Sequence, residues 1–118
     1  MSKDDELLRQ KMEEQLQSLT EIAREADDEE FSEFVTEDCL DHQFILSLDG
    51  KFSGYILTVA LGGPNIILKN SYWNPNATLE GGWGTSREEM AVPEDVSARF
   101  FDEMANLAEV AIMSSQRI

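Results

Sequence analysis

The chain has 118 residues, with 24 Asp and Glu against nine Lys and Arg, one His and one Cys, for a formal charge of −15. That length suits one compact domain, 1–118, and a 42% apolar content including two Trp and six Phe is enough for a packed core. A single Cys excludes an internal disulfide, Cys and His together are too few for a four-ligand zinc site, and no apolar run nears the roughly 18 residues of a membrane helix.

The charge is unevenly placed. Residues 1–41 hold fifteen carboxylates and four bases, a net −11, which leaves −4 for the other 77 residues. Such a surface repels phosphate, so direct nucleic-acid binding and adhesion to anionic membranes are both disfavoured. It favours a basic protein partner found by electrostatic steering. The acidic start, Met1 to Glu6, lacks the apolar stretch of a secretory signal, so a cytoplasmic location in the host cell is expected.

In chain order, residues 3–27 read as a long helix. Leu8, Met12, Leu16 or Gln15, Leu19, Ile22 or Ala23, and Ala26 recur at spacings of three and four, Ser2 is placed to cap, and Asp4, Asp5 and Glu6 complement the dipole in the first turn. A short second helix is expected over 29–37, capped by Asp27 or Asp28 and packing Phe31, Phe34 and Val35. These helices form an acidic N-terminal third, 1–38. From residue 40 the period shortens to two. A strand from Leu40 to Leu48, an Asp49-Gly50 hairpin of type I′, and strands at 52–61, 66–69 and 77–83 follow. Gly81-Gly82 within the last of these points to a bulge or a close backbone approach. Pro93 introduces a C-terminal helix carrying Val96, Phe100, Met104, Leu107 and Ala111 in one row. The reading is an α+β fold: long N-terminal helix, short second helix, four-stranded antiparallel sheet and C-terminal helix.

Little in the chain points to catalysis. Cys39 and His42, three apart at the start of a strand, face opposite ways, and no third group is placed to orient a nucleophile. Carboxylates are so plentiful that their spacing selects no acid–base pair, so no enzyme activity, no cofactor and no metal site are expected. The Gly62-Gly63-Pro64-Asn65 string is not a phosphate loop, since no Gly-Lys-Ser/Thr follows. The acidic helices are the place for function. Acids three, four or seven apart on a helix stand about 5–10 Å apart along the axis, a range that overlaps the advance of charges along a nucleic-acid strand. Glu13, Glu14, Glu21, Glu25, Asp27, Asp28, Glu29 and Glu30 are the expected partner-binding residues, with Trp73, in a turn over 71–76, as an aromatic anchor.

The segment at 57–70, with Gly62, Gly63, Pro64 and Asn65, followed at 80–84 by Trp83 and Gly84, resembles a group of short acidic phage and prophage proteins. In these a Gly-Gly-Pro-Asn turn joins two strands and a Trp-Gly closes a later one. The resemblance covers residues 55–110 and leaves the acidic helix outside it. It implies a mobile-element accessory protein, a class that includes anti-CRISPR and anti-restriction proteins, and it transfers no catalytic residues. The functional expectation is therefore a non-enzymatic inhibitor that binds a basic nucleic-acid-binding surface of a CRISPR-Cas or restriction complex in a bacterial cytoplasm. The alternative is an antitoxin, immunity or homodimeric interaction module, with the apolar stripe of the first helix pairing with a second copy.

Overall fold

The computed structural model describes residues 3–71 and 76–115. Its elements are α1 (Lys3–Glu25), α2 (Asp28–Glu33), a wide π-type helical turn (Phe34–Asp38), β1 (Asp41–Leu46), β2 (Phe52–Ala60), β3 (Asn65–Asn70), β4 (Thr78–Trp83), β5 (Ser86–Ala91) and α3 (Glu94–Ser115). The strands form an antiparallel meander in the order β1-β2-β3-β4-β5. The α+β class stands, but the sheet has five strands where four were expected. The added strand, Ser86–Ala91, contains Arg87, Glu88 and Glu89 and no β-branched residue, so its own propensity is poor. Pairing with β4 from Trp83↔Ser86 to Thr78↔Ala91 makes it a strand. Ser2, the expected cap of α1, lies outside the described residues.

The apolar stripe of α1 is buried at Leu8, Met12, Leu19 and Ala23, and the helix lies across β4 and β5 while α3 lies on β2. Leu57, Leu68 and Leu79 face these helices in one cross-strand row with no solvent exposure. The stripe is thus mostly covered within its own chain, with Leu16 and Ala26 half-buried. In α3 the row is Val96, Phe100, Met104 and Ala108; Ala111, expected in that row, is exposed. Asp27 is the cap of α2: its carboxylate accepts from the Glu30 amide at 2.8 Å. The helix continues beyond Glu33 as the wider turn, where the Cys39 amide closes back on the Phe34 carbonyl at 3.3 Å.

Two turns differ instructively. At the β1–β2 hairpin the Gly50 amide donates to the Ser47 carbonyl at 2.9 Å, and only Gly50 has positive φ, +82°. Asp49 does not, so the hairpin is closed by a turn with a glycine bulge, and the expected type I′ geometry is absent. At the β4–β5 hairpin Gly84, φ +61°, occupies the first of two loop positions between paired Trp83 and Ser86, where a II′-type loop takes glycine.

Gly81 marks the closest approach of helix and sheet. A Cβ there would stand 2.5 Å from the Met12 sulfur and 3.2 Å from a Leu8 methyl. The β4 ladder keeps its register through Gly81 and Gly82, so close approach and not a bulge explains the pair. A Cβ on Gly54 would instead collide with the Asn70 backbone carbonyl.

One basic side chain joins the three helices. The Arg99 guanidinium on α3 donates to the Ala23 carbonyl at 2.6 Å in the last turn of α1 and to Asp28 at 3.3 Å at the start of α2, and it stacks 4.4 Å above the Phe31 ring. Phe31 in turn meets Phe100 edge-on at 4.8 Å. Last-turn carbonyls lack intrahelical partners and carry the negative end of the dipole, so a guanidinium there is favourable twice over. Arg24 and Asp95 add a two-pronged pair at 2.9 and 3.1 Å between α1 and α3.

Two stability outcomes follow from this packing. Gly54→Ala should cost about 1–3 kcal/mol in denaturant melts and Gly81→Ala less, because backbone cannot yield where a methionine end can swing aside; equal costs would contradict the assignment. Arg99→Ala should cost about 1.5–3 kcal/mol for its charge-assisted bond to the carbonyl, and Arg99→Lys should recover little, since ammonium has no planar fork.

Candidate functional site

The outer surface of α1 and the α1–α2 junction carry the acids expected to bind a partner. All eight, Glu13, Glu14, Glu21, Glu25, Asp27, Asp28, Glu29 and Glu30, are exposed. Trp73 lies outside the described residues. The structure divides the eight into two sets. Around the axis of α1, Glu14, Glu21 and Glu25 fall within about 40° of one another, advancing about 10 Å and then about 6 Å along it. Glu13 sits on the neighbouring flank. At the junction, Glu21 and Glu25 meet Glu30 of α2 around a shallow depression of about 340 Å³, floored by Ile22 and Ala26.

Some of these acids also have structural partners. Glu14 lies 3.7 Å from Lys11, Glu21 accepts from the Gln17 amide at 3.3 Å, Asp27 caps α2, and Asp28 pairs with Arg99. Glu13, Glu25, Glu29 and Glu30 make no ion pair among the described residues. The junction is strained electrostatically. The Glu30 amide holds the Asp27 carboxyl below its usual range, while the hydrogen bond to Asp27 and its charge raise Glu30. Asp95 is lowered, chiefly by its hydrogen bond from Arg24.

Cys39 is buried, and burial followed by the charge of Asp38 pushes its thiol up to about 12. His42 turns toward the helices, where its Nε2 donates to the Val35 carbonyl. Among the described residues no group of three or more His, Cys, Asp and Glu could hold a metal ion, and no helix is long and apolar enough to cross a membrane. The Gly62–Asn65 turn is closed by the Asn65 side chain, which accepts from the Gly62 amide at 2.9 Å, and the Trp83 ring lies beside Gly63. A groove of about 360 Å³ between this turn and α1 is lined by Lys11, Glu14, Leu61 and Pro64 among others.

Sequence reasoning missed one charged surface altogether. Lys69, Glu80 and Arg87 share a groove on the sheet face opposite the helices, with Gly82 in its floor. Arg87 lies across Gly82 and donates to the Gly84 and Ser86 carbonyls at 2.8 Å. Without β5 the register that gathers these residues is invisible. The glycine loop at Gly84-Thr85 was the signal for it.

Compared with known proteins, the chain matches no family model, no curated protein and no solved structure.

The shifted carboxyls define a pH test with opposite signs. A lowered carboxyl stabilises above its unfolded value, 3.8 for Asp95, and that stability is lost as pH falls through the folded value. A raised one, Glu30, destabilises above its folded value, and the penalty has gone once pH is below 4.5. Asp95→Asn should therefore lower the melting temperature at neutral pH, and Glu30→Gln should raise it. Both differences should vanish in acid, as read by thermal melts across pH. A Glu30→Gln effect of the same size at neutral and acid pH would refute the assignment.

Proposed function

We propose that this protein is a non-enzymatic inhibitor whose acidic helices occupy a basic nucleic-acid-binding surface of a bacterial defence complex, of the CRISPR-Cas or restriction kind. The observation that carries the reading is the row Glu14, Glu21 and Glu25, continued by Glu29 and Glu30 at the junction, all exposed on helices held to a packed sheet. Advances of about 6 and 10 Å correspond to two and three steps of a strand whose charges recur every 3.4 Å or so. A channel built for phosphates would meet carboxylates at compatible intervals, on a scaffold that needs no ordering before it binds. The resemblance at Gly62–Asn65 and Trp83-Gly84 to phage accessory proteins supplies the biological setting, the cytoplasm of an infected bacterium.

Steering by this surface acts on the encounter. Binding should accelerate as salt falls, over a Debye length of about 10 Å at 0.1 M. Neutralising Asp27 and Asp28 would also disturb the α2 cap and the Arg99 pair, so a cleaner variant is E14Q/E21Q/E25Q/E29Q. Expressed in bacteria carrying a susceptible defence system, the wild-type chain should restore plating of a restricted phage. The variant should melt like the wild type yet lose that restoration, with a slower association rate and a nearly unchanged dissociation rate. Full restoration by the variant would overturn the proposal.

A further inference from the structure

The sheet face turned away from the helices differs in charge from the rest of the molecule. Gly81 points to α1, whereas Gly82, pointing the other way, lies against Arg87 of the next strand. On that side Ile45, Ile56, Thr58 and Ile67 form an apolar stretch across β1 to β3, all but Thr58 half-exposed, flanked on β1 by the exposed Asp41 and Gln43. Lys69, Glu80, Arg87 and Glu89 form a charged half toward β5. Arg9, Lys11, Arg24, Lys51 and Arg99 each hold a carboxylate, but Lys69 and Arg87 make no ion pair among the described residues.

Two copies of a chain with a charge of −15 repel one another over most of their surfaces. This face is where they can meet. A purely basic partner would be opposed there by Lys69 and Arg87, and a purely acidic one by Glu80 and Glu89. Interleaved signs on one patch complement the same patch turned over. Lys69 and Glu80 lie on adjacent strands one row apart, since Lys69 pairs with Thr78 and Ile67 with Glu80. A twofold axis between two such faces can therefore set each on the other reciprocally, so every contact is made twice.

We propose that the open sheet face pairs with the same face of a second copy, with Lys69 of one copy on Glu80 of the other and Glu80 on Lys69. At spacings of about 4.8 Å between strands and 3.4 Å per residue, the same axis carries Ile56 of one copy over the groove beside Gly82 of the other. That groove offers about 440 Å³, with Arg87 lying across Gly82 in its lining. Ile67, beside both Lys69 and Glu80, then meets its counterpart of the other copy near the axis. This pairing does not depend on the acidic helices having a partner; it leaves them facing outward on both copies.

Sedimentation velocity from micromolar to near-millimolar protein tests it, with circular dichroism confirming that each variant is folded. The wild type should dimerise in that range. K69E and E80K should each weaken the dimer about tenfold or more, and an equimolar mixture should recover it as a heterodimer, seen as a mixed species in native mass spectrometry. General repulsion makes the opposite forecast for E80K, which reduces the negative charge and would strengthen association. A wild type that stays monomeric throughout, a dimer indifferent to both substitutions, or a mixture no tighter than its components would each overturn the proposal.

Discussion

The arrangement of the helices depends on how one guanidinium is used. Arg99 reaches the Ala23 carbonyl at the end of α1, the Asp28 carboxylate at the start of α2 and the face of Phe31 at once. The end of α1 is a place where unpaired carbonyls and carboxylates accumulate: Glu25, Asp27, Asp28, Glu29 and Glu30 follow within a few residues. Without a cation there, the negative end of the helix dipole and these acids would push the junction apart. Arg99, supplied from α3, satisfies the backbone and neutralises part of the charge, while Phe31, Phe34 and Phe100 pack beneath it. The acidic junction can therefore be both densely charged and fixed in position.

A segregation of charge follows. The helices place their apolar stripes on the sheet, so their carboxylates have only the outer surface left to them. Of the bases, Arg9, Arg24 and Arg99 are used to hold helices and sheet together, and only Lys11, paired with Glu14 within α1, offsets the acids of the α1 row. The opposite sheet face keeps both signs in near balance. One surface is thus suited to a strongly basic partner, and the other to a partner with the same mixed pattern as itself.

Much of this was legible in the sequence because the long elements carry clear periods. The three- and four-residue spacing from Leu8 to Ala26 read α1 correctly, and Asp27 was one of the two caps offered for α2. β5 was not legible, since Ser86–Ala91 has the composition of a solvated loop. Its helix-facing Glu88 is met by Arg9 at 3.2 Å from α1, a partner 79 residues away. Gly81 could be read as a close approach, but nothing in the chain said that Met12 was what approached. The exposed acids of the candidate site were identified by residue. Their division into a row on α1 and a cluster at the junction required the helix packing, and the Lys69–Glu80–Arg87 surface required the register of a strand that propensity hides.

The proposed inhibitor is one whose acidic helices take the place of nucleic acid on a basic surface. The most direct measurement is capture from a bacterial lysate on the immobilised protein at about 50 mM and about 500 mM salt, with duplex DNA added as competitor and the bound proteins identified. Such an inhibitor should capture a nucleic-acid-binding defence protein that is retained at low salt, released at high salt and displaced by DNA. A captured protein that resists both salt and DNA, or capture of nothing beyond further copies of the same chain, would contradict it.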